Sequence, residues 1–346
     1  MSHATAASPT LAQSTLATVV SAIAGTLRGA YAIDPEPVLL SVGIDPAVML
    51  DSELRLTMTT LSPLWLRCVE LTGDEAFGLR VARYFQPAQF YGIDLALCTS
   101  ATFGEALQRH VQIIRVLTTI ALPQLSIDAN GDCRLEIRRH GPQRPTDAAL
   151  DCFFQAFCIR LFERQTGLHA RQLLRRLELP RPPPKDPTPW RALGLPVTFG
   201  CACGAMVFKF ESLAMPLPGA NPHLLAQLEQ PILRYLAQLG LPLPPSALRS
   251  RLADMLTETP DVQQLATELD ICPKLLRRNL TSQGLTFSQL LDQAREAQAL
   301  VLLANPALSL EQVASKLGFS STSSLVRAFR RWQNNTPMAY RRQALG

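Results

Sequence analysis

The chain has 346 residues, 47% hydrophobic and 18% charged, which suits two packed domains and excludes global disorder. No run of about eighteen residues is free of polar interruption, which speaks against a membrane-spanning helix. The net charge of +5 is unevenly divided: residues 246–346 hold 12 of the 33 basic but only 8 of the 28 acidic side chains, a balance that fits a polyanionic partner.

In chain order, residues 1–241 predict a mixed α and β domain. Leu16 to Ala24 is apolar and Ala30-Tyr31-Ala32 resembles a leader cleavage site. No Lys or Arg precedes it, however, and Ser, Thr and Gly interrupt it, so a surface helix over 12–29 in a cytoplasmic protein is expected. Further helical patterns cover 60–72, 75–85, 102–118 and 146–165. Leu125 to Asp128 and Cys133 to Arg138 alternate with period two around Asn130-Gly131, the signature of a hairpin. Val197 to Phe199 and Met206 to Phe210 predict a second strand pair, joined around Cys201 and Cys203. Six prolines between Pro180 and Pro189 predict a loop. A helix over 221–239 leads to a short Pro-rich linker at 242–245.

Eight cysteines in a chain of this length do not make a disulfide scaffold. Cys68, Cys98, Cys152 and Cys158 stand in apolar surroundings and read as buried thiols. Cys201 and Cys203 lack a third ligand at metal-binding spacing and read as a reduced pair. Arg171, Arg175 and Arg176 read as solvated charges or an interface. The histidines are scattered, and neither a phosphate loop nor a nucleophile elbow is present. No catalytic residue, metal site or cofactor is therefore expected.

Residues 246–346 predict only short helices. Thr259 before Pro260 reads as an N-cap, and Thr286 with Gln289 and Ser309 with Gln312 form capping boxes. Within this region one pattern occurs twice, at about 262–283 and 310–333. Each copy has a short helix centred on a small residue (Ala266, Ala314), a turn residue that tolerates positive φ (Asp270, Gly318), and a second helix with two faces. In the first, Leu276 and Leu280 oppose Lys274, Arg277 and Arg278. In the second, Leu325, Phe329 and Trp332 oppose Ser323, Arg327 and Arg330 or Arg331, with Thr322 near the start. An apolar stripe that fixes the docking angle, backed by cations and hydroxyls, is what a helix in the major groove needs. After Glu311 there are six cations and no acid: Lys316, Arg327, Arg330, Arg331, Arg341 and Arg342.

Residues 246–344 closely resemble the DNA-binding domain of AraC/XylS-type transcription regulators. The resemblance is carried by LEQVASKLGFSSTSSLVRAFRRWQNNTPMAYRR at 310–342 and by LLRRNLTSQGLTFSQLLDQAREAQALVLL at 275–303. It implies seven helices, with two helix-turn-helix units joined by a long connector, that enter successive major-groove segments about one turn apart. The chain departs from the family pattern at Leu325, where an aromatic is common, at Asp270, where Gly is common, and at Cys272-Pro273, where Ser often caps the helix. Upstream, LTGDEAFGLRVA (71–82), YGIDLALCTSATFGEALQRH (91–110) and VTFGCACGAMVFKFESLAMPLPGANPHL (197–224) resemble the arabinose-binding-like effector domain of one subgroup.

The expected architecture is therefore an α+β effector or dimerisation domain over 1–241, the linker, and an all-α DNA-binding domain over 246–346. The expected base contacts are Lys274, Arg277, Arg278, Thr322, Ser323 and Arg327. The expected phosphate contacts are Ser324, Arg330 and Arg331, with Arg341 and Arg342 as further phosphate partners or solvated charges. The resemblance implies a transcription activator whose partners are promoter double-stranded DNA, RNA polymerase and a small-molecule effector, and it leaves a homodimer open. The effector-binding residues are not legible. A constitutive regulator whose first domain only dimerises, and an enzyme carrying a fused DNA-binding module, are the alternatives.

Overall fold

Turn chemistry sets most element boundaries in the computed structural model, which describes residues 13–139 and 144–345. Strand β1 (Ser14–Leu16) pairs antiparallel with β2 (Arg55–Thr57). Between and after them run helices α1 (Thr18–Tyr31), α2 (Pro35–Ser41), α3 (Met58–Thr72), α4 (Phe77–Val81), α5 (Ile93–Cys98) and α6 (Phe103–Ile113). The hairpin expected around Asn130-Gly131 is present as β3 (Ala121–Ile127) and β4 (Cys133–Arg139). Gly131 takes a φ of 82°, as the turn requires. Then come α7 (Asp147–Phe153), α8 (Leu161–Thr166), α9 (Ala170–Leu173), β5 (Leu174–Glu178), α10 (Thr188–Arg191), β6 (Val197–Thr198) and β7 (Gly204–Phe208). The main sheet has the order β3-β4-β7-β5-β6, antiparallel except for the β5–β6 pair.

Strand β7 is central and buried along its whole length, which is why it reads as a continuous apolar run. Phe208 from this strand meets Phe103 of α6 and Phe162 of α8 at ring-centroid distances of 5.5 and 5.4 Å. Edge-to-face packing of this kind joins the helices to the sheet.

Several expectations change. The first helix is no surface helix: Val19, Val20, Ala22, Ile23, Ala24 and Leu27 are buried, because its apolar residues cover more than one stripe. The strand at 197–198 pairs with β5, not with β7. Strand β5 itself was hidden by its charges: Arg176 and Glu178 alternate outward and pair with each other at 2.8 Å, and Glu178 also accepts from Arg134 on β4 at 2.7 Å. Arg175 pairs with Asp132. The helix expected over 146–165 is interrupted by a π-helical stretch, Phe154–Arg160. Cys68 and Cys152 are buried thiols and Cys98 is half-buried; the Cys158 side chain lies outside the described residues. Burial pushes the Cys68 thiol up to about 12.

The described residues fall into two compact units, one running to Leu228 and the other from Glu229, so α11 (Pro222–Gln238) crosses the division. The second unit continues with α12 (Pro245–Met255), α13 (Val262–Glu268), α14 (Pro273–Ser282), α15 (Phe287–Leu303), α16 (Leu310–Lys316), α17 (Thr322–Gln333) and α18 (Pro337–Leu345). It is all-α. Among the described residues no helix is long and apolar enough to cross a membrane.

Candidate nucleic-acid interface

Two helix pairs, α13 with α14 and α16 with α17, are built by the same local interactions at constant spacing. Asp261 and Ser309 cap the first helix of each pair. Their side chains accept from the backbone N–H of Gln264 and Gln312, whose amide oxygens accept from the cap residues' own N–H at 2.8 Å. The first of these caps is Asp261, not Thr259, which instead takes a left-handed φ of 50° in the turn before it. At the other end of each helix, the N–H of Ile271 donates to the Ala266 carbonyl and that of Phe319 to the Ala314 carbonyl, both at 2.9 Å. This closure needs a left-handed residue just before it. Asp270 supplies a φ of 54° and Gly318 a φ of 69°, as their positions in the repeat predict.

The two turns differ in room. A Cβ on Gly318 would lie 2.1 Å from the carbonyl oxygen of Leu256, so glycine is required by contact as well as by φ. The Asp270 side chain points outward and pairs with Arg234 at 3.0 Å.

Each second helix presents one buried and one exposed face. On α14, Leu276, Asn279 and Leu280 are buried, whereas Lys274, Arg277 and Arg278 are exposed. On α17, Leu325, Ala328 and Phe329 are buried, whereas Ser323, Arg327, Arg330 and Arg331 are exposed; Thr322 and Ser324 are half-exposed. Ser321 caps α17, and Arg327 donates to the Ser324 hydroxyl at 3.3 Å. Arg331 already has an acidic partner, Asp292, at 2.8 Å. Arg341 departs from its expected role as an outward cation: its Nε donates to the Leu303 carbonyl at 3.1 Å, which satisfies the C-terminus of the connector α15. Arg342 is exposed.

Three supporting residues escaped the sequence reading. Arg295 on α15 stacks over Phe319 with its guanidinium carbon 4.8 Å from the ring centroid, and donates to the carbonyls of Leu317 and Gly318 at 3.0 and 3.4 Å. It fixes the second turn to the connector. Asn279, on the inward face of α14, donates to the Leu241 carbonyl at 2.7 Å and accepts from the Leu243 N–H at 2.9 Å. Gln283 donates to the Leu243 carbonyl at 3.0 Å. Residues 241–243, at and just before the expected linker, are thus strapped to the back of α14, with Leu241 and Leu243 buried. A polar residue between two leucines of a buried stripe was the available signal for Asn279.

Among the described residues no group of three or more His, Cys, Asp or Glu could hold a metal ion. What the second unit offers is two similarly built helices, each with a basic or hydroxyl-bearing face open to solvent. Residues 33–217 match a family described as the arabinose-binding domain of AraC transcription regulators, and residues 265–343 match a helix-turn-helix domain family. The chain is 27% identical to the ornithine utilization regulator of Pseudomonas aeruginosa, over 90% of this chain and 91% of that protein. It is 26% identical to the regulator VirS of Mycobacterium tuberculosis, over 89% and 91%. Among solved structures, the transcriptional regulator CdpR of Pseudomonas aeruginosa is similar in fold, with a TM-score of 0.53 at 22% identity, covering 88% of this chain and 96% of that one.

Proposed function

The chain belongs to the AraC family of DNA-binding transcription regulators, and we propose that it is a cytoplasmic, effector-controlled activator that reads promoter DNA with α14 and α17. The observation that carries the DNA-reading part is the duplicated helix pair: equivalent caps and turn closures hold two exposed faces, one basic and one bearing hydroxyls and arginines. Lys274, Arg277 and Arg278 read bases in one half of the site, and Thr322, Ser323 and Arg327 in the other. Ser324, Arg330 and Arg331 bind phosphates, Arg331 after exchanging Asp292 for DNA. Neutralising Arg330 and Arg331 together lowers affinity for all sequences alike and reduces the salt slope by about one unit for each phosphate that no longer meets a cation.

The first unit binds the effector and supports dimerisation, and activation involves contact with RNA polymerase. No chemical step is assigned to the chain, in keeping with relatives that are regulators. The functional division falls ahead of the strap, because residues 241–243 pack within the second unit. A fragment of residues 222–346 should therefore fold and bind the operator without responding to effector, more weakly than the full chain if dimer avidity is lost. Operator affinity and promoter output of fragment and full chain, each with and without candidate ligands, test the proposal. A fragment that keeps the full ligand response would overturn it.

A further inference from the structure

Within the first unit, a cavity of about 80 Å³ opens between β1, α3 and α7. Its floor is buried and apolar, with Leu61, Trp65, Ile120 and Phe153 among its walls. Its rim, where Ser62, Ala149 and Leu150 lie, is half-exposed. None of the described residues that line it is an acid, a base or a histidine. The other lining hydroxyls are already engaged: Thr15 and Thr118 bond to each other at 2.9 Å, and Thr146 accepts from the Ala149 N–H at 3.2 Å. Among the lining hydroxyls described, that of Ser62 at the rim has no such partner. A second observation marks the same wall. Helix α7 runs directly into the π-helical stretch Phe154–Arg160, a rare geometry that recurs at functional sites.

We propose that this cavity seats an uncharged ligand with an apolar end, a short alkyl chain or the edge of a small ring, whose polar group stays at the rim beside Ser62, and that this ligand is the effector. The second clause rests on the effector-controlled reading given above; the first does not. A charged head group held at this rim would lose part of its hydration and meet no counter-charge among the described lining residues. The volume is about half that of a cavity of about 150 Å³ that accepts benzene, so a few carbons are enclosed and the remainder lies at the opening.

The test uses the full-length protein and an isosteric series: 1-butanol, 1-pentanol and 1-hexanol against hexanoate and hexylammonium, followed by calorimetry and thermal shift. Each added methylene of the alcohols should tighten binding, by up to about threefold to fourfold where it is enclosed and by less where it lies at the opening. Both charged analogues should bind at least about tenfold more weakly than 1-hexanol. Ala149→Phe, which fills the mouth, should abolish 1-hexanol binding and leave ligand-free operator affinity unchanged. Hexanoate or hexylammonium binding as tightly as 1-hexanol overturns the proposal, as does an unchanged Kd for 1-hexanol in Ala149→Phe. If that variant does not fold, the charge series on the wild-type protein decides. The two clauses fail separately. Seated 1-hexanol that leaves operator affinity and promoter output unmoved upholds the ligand class and overturns effector control from this cavity. An operator response to another ligand that persists in Ala149→Phe upholds effector control and overturns the cavity as its seat.

Discussion

In the first helix-turn-helix pair, Asn279 ties the second helix, α14, to the strap at 241–243; at the matching position of the second pair, one turn after Leu325, stands Ala328. Helix α17 leans instead on aromatic packing, with Phe329 5.7 Å from Tyr340 and 6.5 Å from Trp332 between ring centroids. The first helices and turns of the two pairs match in their capping and backbone hydrogen bonds; the supports behind the second helices do not. One recognition frame can thus be stiffened either by a buried amide clamp or by an aromatic cluster. The choice has a consequence, because the clamp holds residues 241–243, which follow α11, on the back of α14, whereas Ala328 gives α17 no side-chain hydrogen bond of that kind.

The largest effect should separate the two turns. Gly318→Ala adds a Cβ at positive φ against the Leu256 carbonyl and should cost at least about 3 kcal/mol of unfolding free energy. Asp270→Ala loses an exposed pair with Arg234 and should stay within about 1 kcal/mol. Urea unfolding of the full-length variants measures both, and equal losses would break the distinction drawn between the turns. Next comes the clamp. Asn279→Leu leaves the Leu241 carbonyl and the Leu243 N–H buried without their partner and should cost about 2–3 kcal/mol. Ala328→Asn buries an amide with no strap to meet it and should also destabilise, by about 1–3 kcal/mol. A stable Ala328→Asn variant would mean that the second support is looser than its packing indicates. The smallest effects concern the caps. Ser321→Ala should lose about 1 kcal/mol, and Cys272→Ser, which adds the hydroxyl that α14 lacks, should gain up to about 1 kcal/mol. Thermal unfolding midpoints resolve the sign of each.

The repeated frame was legible in the sequence because its signals are local. The small residue at the crossing and the left-handed turn residue lie within a few positions of one another in both copies, and the capping box of the second copy is legible, whereas in the first Thr259 reads as the cap in place of Asp261. The supports were not, because their partners are distant. Nothing near Leu241-Pro-Leu243 announces Asn279, and alternating leucines among prolines read as linker until the buried amide is seen to complete their hydrogen bonds. Arg341 counted as a free cation by composition, although its Nε–H is committed to the Leu303 carbonyl. In the first unit, β5 was lost for the same reason: its outward arginines advertise solvent, and only Glu178 and Arg134 of β4, which reaches it across β7, show them to be part of a charged ladder over the sheet. The cavity wall could not be foreseen either, since its residues come from four separate segments.

The central claim is that α14 and α17 read different halves of one site. The most direct measurement is a binding-site selection, at fixed salt, with full-length wild-type protein and with Arg277→Ala and Arg327→Ala. Each variant should lose about 1–3 kcal/mol of specific binding and relax sequence preference in a different half, the two halves lying about one helical turn apart. Variants that both return the wild-type motif at wild-type affinity, or that relax the same half, would contradict the claim.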